Sequence, residues 1–337
     1  MKAIVIDGGF GLEHLRLVER PDPALGPGQI RLSMRAASLN FRDLLMAQGA
    51  YNPKQPLPLI PASDGVGEVV ELGAEVEDVK VGDRVCPIFA QGWLSGTPNK
   101  SMLRTTLGGP RDGTLCESMV VSAAAVVRVP DFLSDEAAAT LPCAAVTAWS
   151  ALVTLGRLRA GQVVLTQGTG GVAIFALQIA KLMGARVIVT SKSDEKLERA
   201  RGLGADDIIN YRQEPQWGRR ARELTAGVGV DHVIEVGGGG TLGESLRAVR
   251  PGGTISVIGV LSGTTSDVNL LPLLMQNVRM QGVIVGHRES FEALVAAVAQ
   301  ARLQPVVDRV FSLDETRAAF DHMASANHFG KIVVRIR

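Results

Sequence analysis

The chain has 337 residues, and 35 Lys+Arg against 34 Asp+Glu leave a formal charge of +1. At about 150 residues per domain this length predicts two domains, and near-neutral charge excludes the broad basic field that draws nucleic acid or anionic membrane. With 46% apolar and 20% charged residues the composition is globular, and 38 Gly predict many tight turns or close backbone approaches.

Short β-prone runs fill the first part of the chain: Ala3 to Ile6, Gln29 to Ala36, Gly67 to Leu72, Arg84 to Phe89 and Cys116 to Val121, separated by Pro and Gly turn signals. They predict a small irregular β domain. From residue 127 strands and helices alternate. Gly161 to Thr166, Arg186 to Thr190, Asp207 to Asn210, Val230 to Val236, Thr254 to Gly259 and Val278 to Val285 read as strands, with Pro251-Gly252-Gly253 as a turn into the fifth. Gly171 to Met183 and Ser193 to Leu203 read as helices between them. This alternation predicts an α/β domain over 127–286 with a parallel sheet and helices on both faces. Ser290 to Ala301 and Leu313 to Met323 follow as helices, and Lys331 to Val334 as a closing strand that rejoins the first domain, giving it residues 1–126 and 287–337.

Two uncharged runs, Ala137 to Gly156 and Gly161 to Ala180, are interrupted by Pro142, Gln167, Thr169 and clustered Gly, so they read as buried structure rather than membrane spans. Cys86, Cys116 and Cys143 show no C-x-x-C spacing. That argues against a disulfide framework and a four-Cys zinc lobe, and for a reduced, cytoplasmic setting. The apolar run before Asp7 is too short for a secretion signal. His14, His232, His287, His322 and His328 are scattered without ligand spacing, which favours structural roles.

Gly168-Thr169-Gly170-Gly171-Val172-Ala173 falls between a predicted strand and helix and satisfies G-x-G-x-x-A. The first Gly permits a tight turn, the second lets backbone approach a pyrophosphate, Ala173 allows close helix–strand packing, and the helix N-terminus supplies the field for the anion. NAD sites place an acid about 20 residues past the first Gly. Here the stretch is Thr190-Ser191-Lys192-Ser193, and Ser191, Lys192 and Lys196 offer a hydroxyl and cations suited to the 2′-phosphate of NADPH, with NADH still possible. The competing explanation makes Ser193 a helix N-cap, with Asp194 and Glu195 in the first turn and the lysines solvated.

These residues, with Val81-Gly82-Asp83-Arg84-Val85, Leu141-Pro142-Cys143 followed by Thr147, and Phe329-Gly330-Lys331, resemble the medium-chain dehydrogenase/reductase superfamily over essentially the whole chain. The nearest likeness is to its zinc-free, quinone-oxidoreductase-like branch. The resemblance implies a GroES-like catalytic domain built from both chain ends and a Rossmann domain, with the active site in the cleft between them. It also implies cofactor contacts from Thr147, Tyr211, Gly237, Gly259 and Lys331. The zinc enzymes of this superfamily carry a Cys in the segment aligned with Asn40-Phe41-Arg42-Asp43, Gly-His-Glu aligned with Ala62-Ser63-Asp64, and Cys or Asp aligned with Cys143. Asn40 and Ser63 cannot serve where about three thiolate, imidazole or carboxylate ligands are needed, so no zinc is expected.

Without a Lewis acid, hydride must go to an acceptor that is already electron-poor, a quinone or an α,β-unsaturated carbonyl. The resemblance implies a substrate-facing role for Asn40 and proton donation by Tyr51. Arg42 is a candidate to hold the carbonyl or a cofactor phosphate, and Asp43 to orient its neighbours. The segment Ala90 to Gly113 is expected to line the substrate cleft. An alcohol or aldehyde dehydrogenase and a non-catalytic, redox-sensing NADPH binder remain open as alternatives. The resemblance further implies a homodimer paired through the Val278 to Val285 edge.

Overall fold

The structure, a computed structural model, describes residues 1–337. Two compact units emerge, Met1–Val146 with Gly286–Arg337, and Thr147–Val285.

In the first unit β1 (Lys2–Ile6) and β2 (Leu15–Glu19) form an antiparallel hairpin. The main sheet contains β3 (Gln29–Leu39), β4 (Asp64–Leu72), β5 (Arg84–Pro87), β6 (Ser118–Ser122) and β7 (Val126–Arg128). β3 is its spine. Ile30, Leu32, Met34 and Ala36 alternate into the core with no exposure, the period of two that a strand imposes. Gly65 on β4 is required there: a Cβ would lie 2.7 Å from the Met34 methyl and 2.9 Å from Thr114 Cβ.

The second unit holds β8 (Val163–Gln167), β9 (Arg186–Ser191), β10 (Asp207–Asn210), β11 (Val230–Glu235), β12 (Val249–Val257) and β13 (Arg279–Gly282). All pairings are parallel and the order is β10-β9-β8-β11-β12-β13, so the winding direction reverses between β8 and β11. Leu165, Ile188, Val233 and Ile255 form the middle of its core, covered by Trp217 and Ala221 of the helix Trp217–Leu224 and Leu246 of the helix Leu242–Ala248. The chain then returns to the first unit. There β14 (Val307–Ser312) lies parallel to β15 (Lys331–Arg335), and β15 pairs antiparallel with β3 through Ile332↔Leu39 and Val334↔Ala37.

Three sequence expectations shift. The division between units falls after Val146 instead of 126, because β7 pairs with β5 and the helix Asp135–Ala138 packs on β3 and β4. The strand expected at Thr254 begins at Val249: Pro251-Gly252-Gly253 is absorbed in a register shift between Val230↔Val249 and His232↔Thr254. The expected strand Val278 to Val285 shortens to Arg279–Gly282, since Asn277 and Val285 flank it at φ 51° and 68°, outside the extended region. The helical stretch Asp135–Thr154 is long and apolar enough to cross a bilayer, but its apolar window is 89% buried. It contains two π-helical turns, Leu141–Ala145 and Ser150–Thr154.

Candidate active site and cofactor site

The sequence Val163-Val164-Leu165-Thr166-Gln167 ends as a buried strand directly at Gly168, which adopts φ +74° with nothing within 4 Å of a built Cβ. Backbone conformation, not space, requires Gly there. Its N–H donates to Thr190 O at 2.7 Å, tying the turn to β9. Gly170 is the N-cap of the helix Gly171–Leu182 and offers no side chain, so the first-turn N–H groups near Gly171 and the half-buried Val172 are left for a ligand. Ala173, 3% exposed, packs that helix against the sheet, and Thr169 is buried beside the turn.

Ser191 is buried at the end of β9, where its Oγ accepts from Ser193 N at 3.3 Å, and Lys192 is exposed. Ser193 Oγ accepts from Lys196 N at 3.3 Å, with Asp194 and Glu195 in the first turn, so Ser193 does cap the helix Asp194–Gly202. Tyr211 N donates to Ser191 O at 3.1 Å, which gathers Tyr211, Ser191 and Lys192 at the carboxyl ends of β9 and β10. The nearby acid, Asp194, accepts from Asn210 Nδ2 at 2.6 Å and Gln213 Nε2 at 3.0 Å. Gly237 and Gly259 follow β11 and β12 at the same edge, and Thr147 is buried in this unit. The residues fit a dinucleotide at the reversal of the strand order. Missed from the sequence were Gln167 and Glu235, which lock this edge together; the only signal was a Glu closing an apolar strand ahead of four Gly.

The first unit carries a second polar group of residues. Asn40 caps the helix Phe41–Ala47, and the Asp43 carboxylate accepts from Asn40 N at 2.8 Å and from Arg42 at 3.2 Å. Lys331, 3% exposed, donates to Leu39 O at 2.7 Å and Asn40 Oδ1 at 2.6 Å and stands 3.7 Å from Asp64 Oδ2. Asn40 Nδ2 contacts Ser63 Oγ at 3.4 Å, and Ser63 Oγ donates to Asp64 Oδ1 at 3.1 Å, closing a ring. Lys331, expected along the cofactor, thus has its ammonium taken up by this ring. Arg42 is also committed: it donates to Leu107 O at 3.0 Å and Gly109 O at 3.1 Å and lies 5.0 and 5.1 Å from the centres of the Tyr51 and Phe89 rings. Its head therefore braces the segment expected to line the cleft. Tyr51 is 46% exposed.

Burial raises Asp43 to about 6, with Arg42 opposing, and raises Asp64 with the Lys331 ammonium opposing. Burial and the Asp64 charge push the Cys143 thiol up. Asn40 and Ser63 offer an amide and a hydroxyl, not the thiolate, imidazole or carboxylate that a catalytic zinc takes. No three His, Cys, Asp or Glu side chains are grouped to hold a metal, and Asp64 already accepts from Ser63 and from Cys143 N at 3.2 Å. Cys86 and Cys116 are buried thiols without a disulfide.

Residues 26–131 match the alcohol dehydrogenase GroES-like domain family, and residues 171–300 the zinc-binding dehydrogenase family. A zinc-type alcohol dehydrogenase-like protein of Schizosaccharomyces pombe is 42% identical over 343 residues, covering 100% of this chain and 99% of its own. The acryloyl-coenzyme A reductase of Metallosphaera sedula is 31% identical over 348 residues, covering 99% of each chain. Among solved structures, an NAD-dependent alcohol dehydrogenase superimposes with a TM-score of 0.92 at 32% identity over 100% of both chains. A mycobacterial protein complexed with NADPH does so with a TM-score of 0.84 at 26% identity, again over 100% of both.

Proposed function

Because this chain belongs to the medium-chain dehydrogenase/reductase superfamily of NAD(P)-dependent oxidoreductases, with a GroES-like and a Rossmann-like domain, we propose that it passes hydride from NADPH to a quinone or an α,β-unsaturated carbonyl without a metal. The observation that carries this reading is the ring Lys331–Asn40–Ser63–Asp64. Asn40 and Ser63, an amide and a hydroxyl, stand in the segments aligned with zinc ligands, and the Asp64 carboxylate between them faces the Lys331 ammonium at 3.7 Å. Bound NADPH would supply the hydride, and an acceptor activated by its own conjugation needs no Lewis acid.

The residues of the chain then orient and protonate. Lys331 donates to Asn40 Oδ1, which fixes the amide so that Nδ2 is its donor side; one of its two N–H bonds faces Ser63 and the other would stabilise charge developing on a substrate oxygen. Tyr51 keeps its phenol accessible and serves as proton donor to the enolate carbon. Ser191 and Lys192 favour the 2′-phosphate, and the reducing cytoplasm suits three unpaired-by-disulfide thiols. We also assign a homodimer to the edge strand β13, where Met280 is 38% exposed, with Ile284 just past its end at 43% and Leu271 and Leu274 of the preceding helix Leu271–Met275 at 58% and 74%. Pairing would cover both the open edge and this apolar surface.

The names of the zinc-type and NAD-dependent relatives favour a second reading, an alcohol or aldehyde dehydrogenase. NADPH oxidation against quinones, enals, enones and saturated aldehydes separates the two. Turnover confined to conjugated acceptors is the expected result. Turnover confined to saturated aldehydes would establish the dehydrogenase, and none at all would leave a cofactor-binding protein.

A further inference from the structure

Glu235 is the last residue of β11 and has no exposed surface, yet no Lys or Arg is among its partners. Five donors converge on it instead. Oε1 accepts from Gly237 N at 2.8 Å, Gly238 N at 2.9 Å and Thr241 Oγ1 at 2.6 Å. Oε2 accepts from Gln167 Nε2 at 2.7 Å and Ser245 Oγ at 2.5 Å. Protein donors thus occupy both oxygens of this buried carboxyl group.

The polarity of this network is fixed in one direction. Gln167 Nε2 also donates to Ser245 Oγ at 2.8 Å, while Gln167 Oε1 accepts from Val236 N and Gly237 N at 3.2 Å each, so the amide cannot be flipped without leaving donors face to face. The backbone carbonyl of Glu235 accepts in turn from Ile258 N at 2.8 Å and Gly259 N at 3.3 Å. One residue thereby joins three pieces of the ligand edge: Gln167, which precedes Gly168; the turn Gly237 to Thr241; and the end of β12.

We propose that Glu235 is a positioning residue for the dinucleotide, holding the phosphate turn and the Gly237 turn in register through this buried, one-directional hydrogen-bond hub. The assignment rests on the NAD(P) site alone and not on the identity of the acceptor. It is independent of Ser191 and Lys192, so NADPH and NADH are affected alike.

The test is cofactor affinity measured by NADPH and NADH fluorescence titration of the full chain, with no acceptor present and with folding checked by circular dichroism. Glu235→Gln turns an amide N–H toward donors on whichever side it faces. The cost of a buried unpaired group predicts Kd for both cofactors raised about tenfold or more. The double variant Glu235→Gln with Gln167→Glu inverts the hub: the new carboxylate accepts from Val236 N, Gly237 N and the new amide, and Ser245 Oγ turns its proton toward it. It should return Kd to within about threefold of the parent, a coupling that two independent local defects would not show. Unchanged Kd in folded Glu235→Gln, or a folded double variant with no recovery, overturns the proposal. If Glu235→Gln does not fold, Thr241→Val decides: removal of one donor should raise Kd about threefold, and no change overturns the proposal. Absence of quinone and enone turnover in the parent protein, with NADPH bound, would count against the proposed reaction and leave this test as it stands.

Discussion

Asp43 predicts an unusual pH dependence of stability. It is fully buried at the start of the helix Phe41–Ala47, and burial lifts it from 3.8 to about 6 against the Arg42 charge and the Asn40 N–H. The folded value lies above the unfolded one, so the native state holds this proton more tightly. The stability it contributes is complete below about pH 4 and is lost as pH rises through about 6. A difference of about 2 units at 1.36 kcal/mol each gives roughly 3 kcal/mol between those limits. Asp64, also raised by burial, acts in the same direction, whereas His232 and His287, lowered by burial, oppose it below their ordinary range. Comparison with Asp43→Asn removes these common contributions. The variant carries its own constant cost, because its amide faces Arg42, but it does not titrate. Urea unfolding of both proteins from pH 4 to 7.5 should show the wild type losing about 2 to 3 kcal/mol relative to the variant as pH rises, nearly all of it between about pH 4 and pH 6. Curves parallel within about 0.5 kcal/mol would refute the reasoning.

Tyr51→Phe keeps the ring over Arg42 and leaves no buried polar atom unpaired, so folding and NADPH affinity should hold while enone kcat falls by about 10² to 10⁴ and quinone reduction falls much less. Equal losses for both acceptors would make Tyr51 a pocket wall. Lys192→Ala removes an exposed cation, so its effect is screened: NADPH Kd should rise about threefold to tenfold with NADH spared. Purified protein should hold far less than one zinc per chain and keep its turnover after chelation; stoichiometric zinc would refute the metal-free reading. Sedimentation at micromolar protein should give the mass of two chains, and a mass of one would remove the role assigned to β13.

The second unit was legible because its signals are local. A strand, a Gly turn and a helix with Ala173 beneath it lie within about 20 consecutive residues, and β8, β9 and β10 appear within a residue or two of their expected limits. The helix Trp217–Leu224 was not legible, because four charged side chains and a Gly mask the two residues, Trp217 and Ala221, that bury it. In the first unit the decisive pairings are distant: Lys331 meets Asn40 across 291 positions, and no pattern near either residue shows it. The partners of Arg42 and Asp43 were equally out of reach of the sequence: backbone carbonyls of a distant segment satisfy the one, and a helix-start N–H with Arg42 satisfies the other. The hub at Glu235 belongs to the same class, a polar residue whose role depends on donors brought to it by folding.

The placement of β15 has a consequence for synthesis. β3 is made early but its partner strand ends at Arg335, so on the ribosome its Leu39 end must wait with unpaired backbone while the second unit, contiguous from Thr147 to Val285, emerges and closes its own sheet. Lys331 travels on that same strand, and until it arrives Asp64 has no cation opposite and Asn40 no donor on its carbonyl. Nascent chains are therefore expected to close the sheet of the second unit before the ring of Lys331, Asn40, Ser63 and Asp64 can form, with the waiting edge of β3 as the segment most in need of a chaperone during the interval.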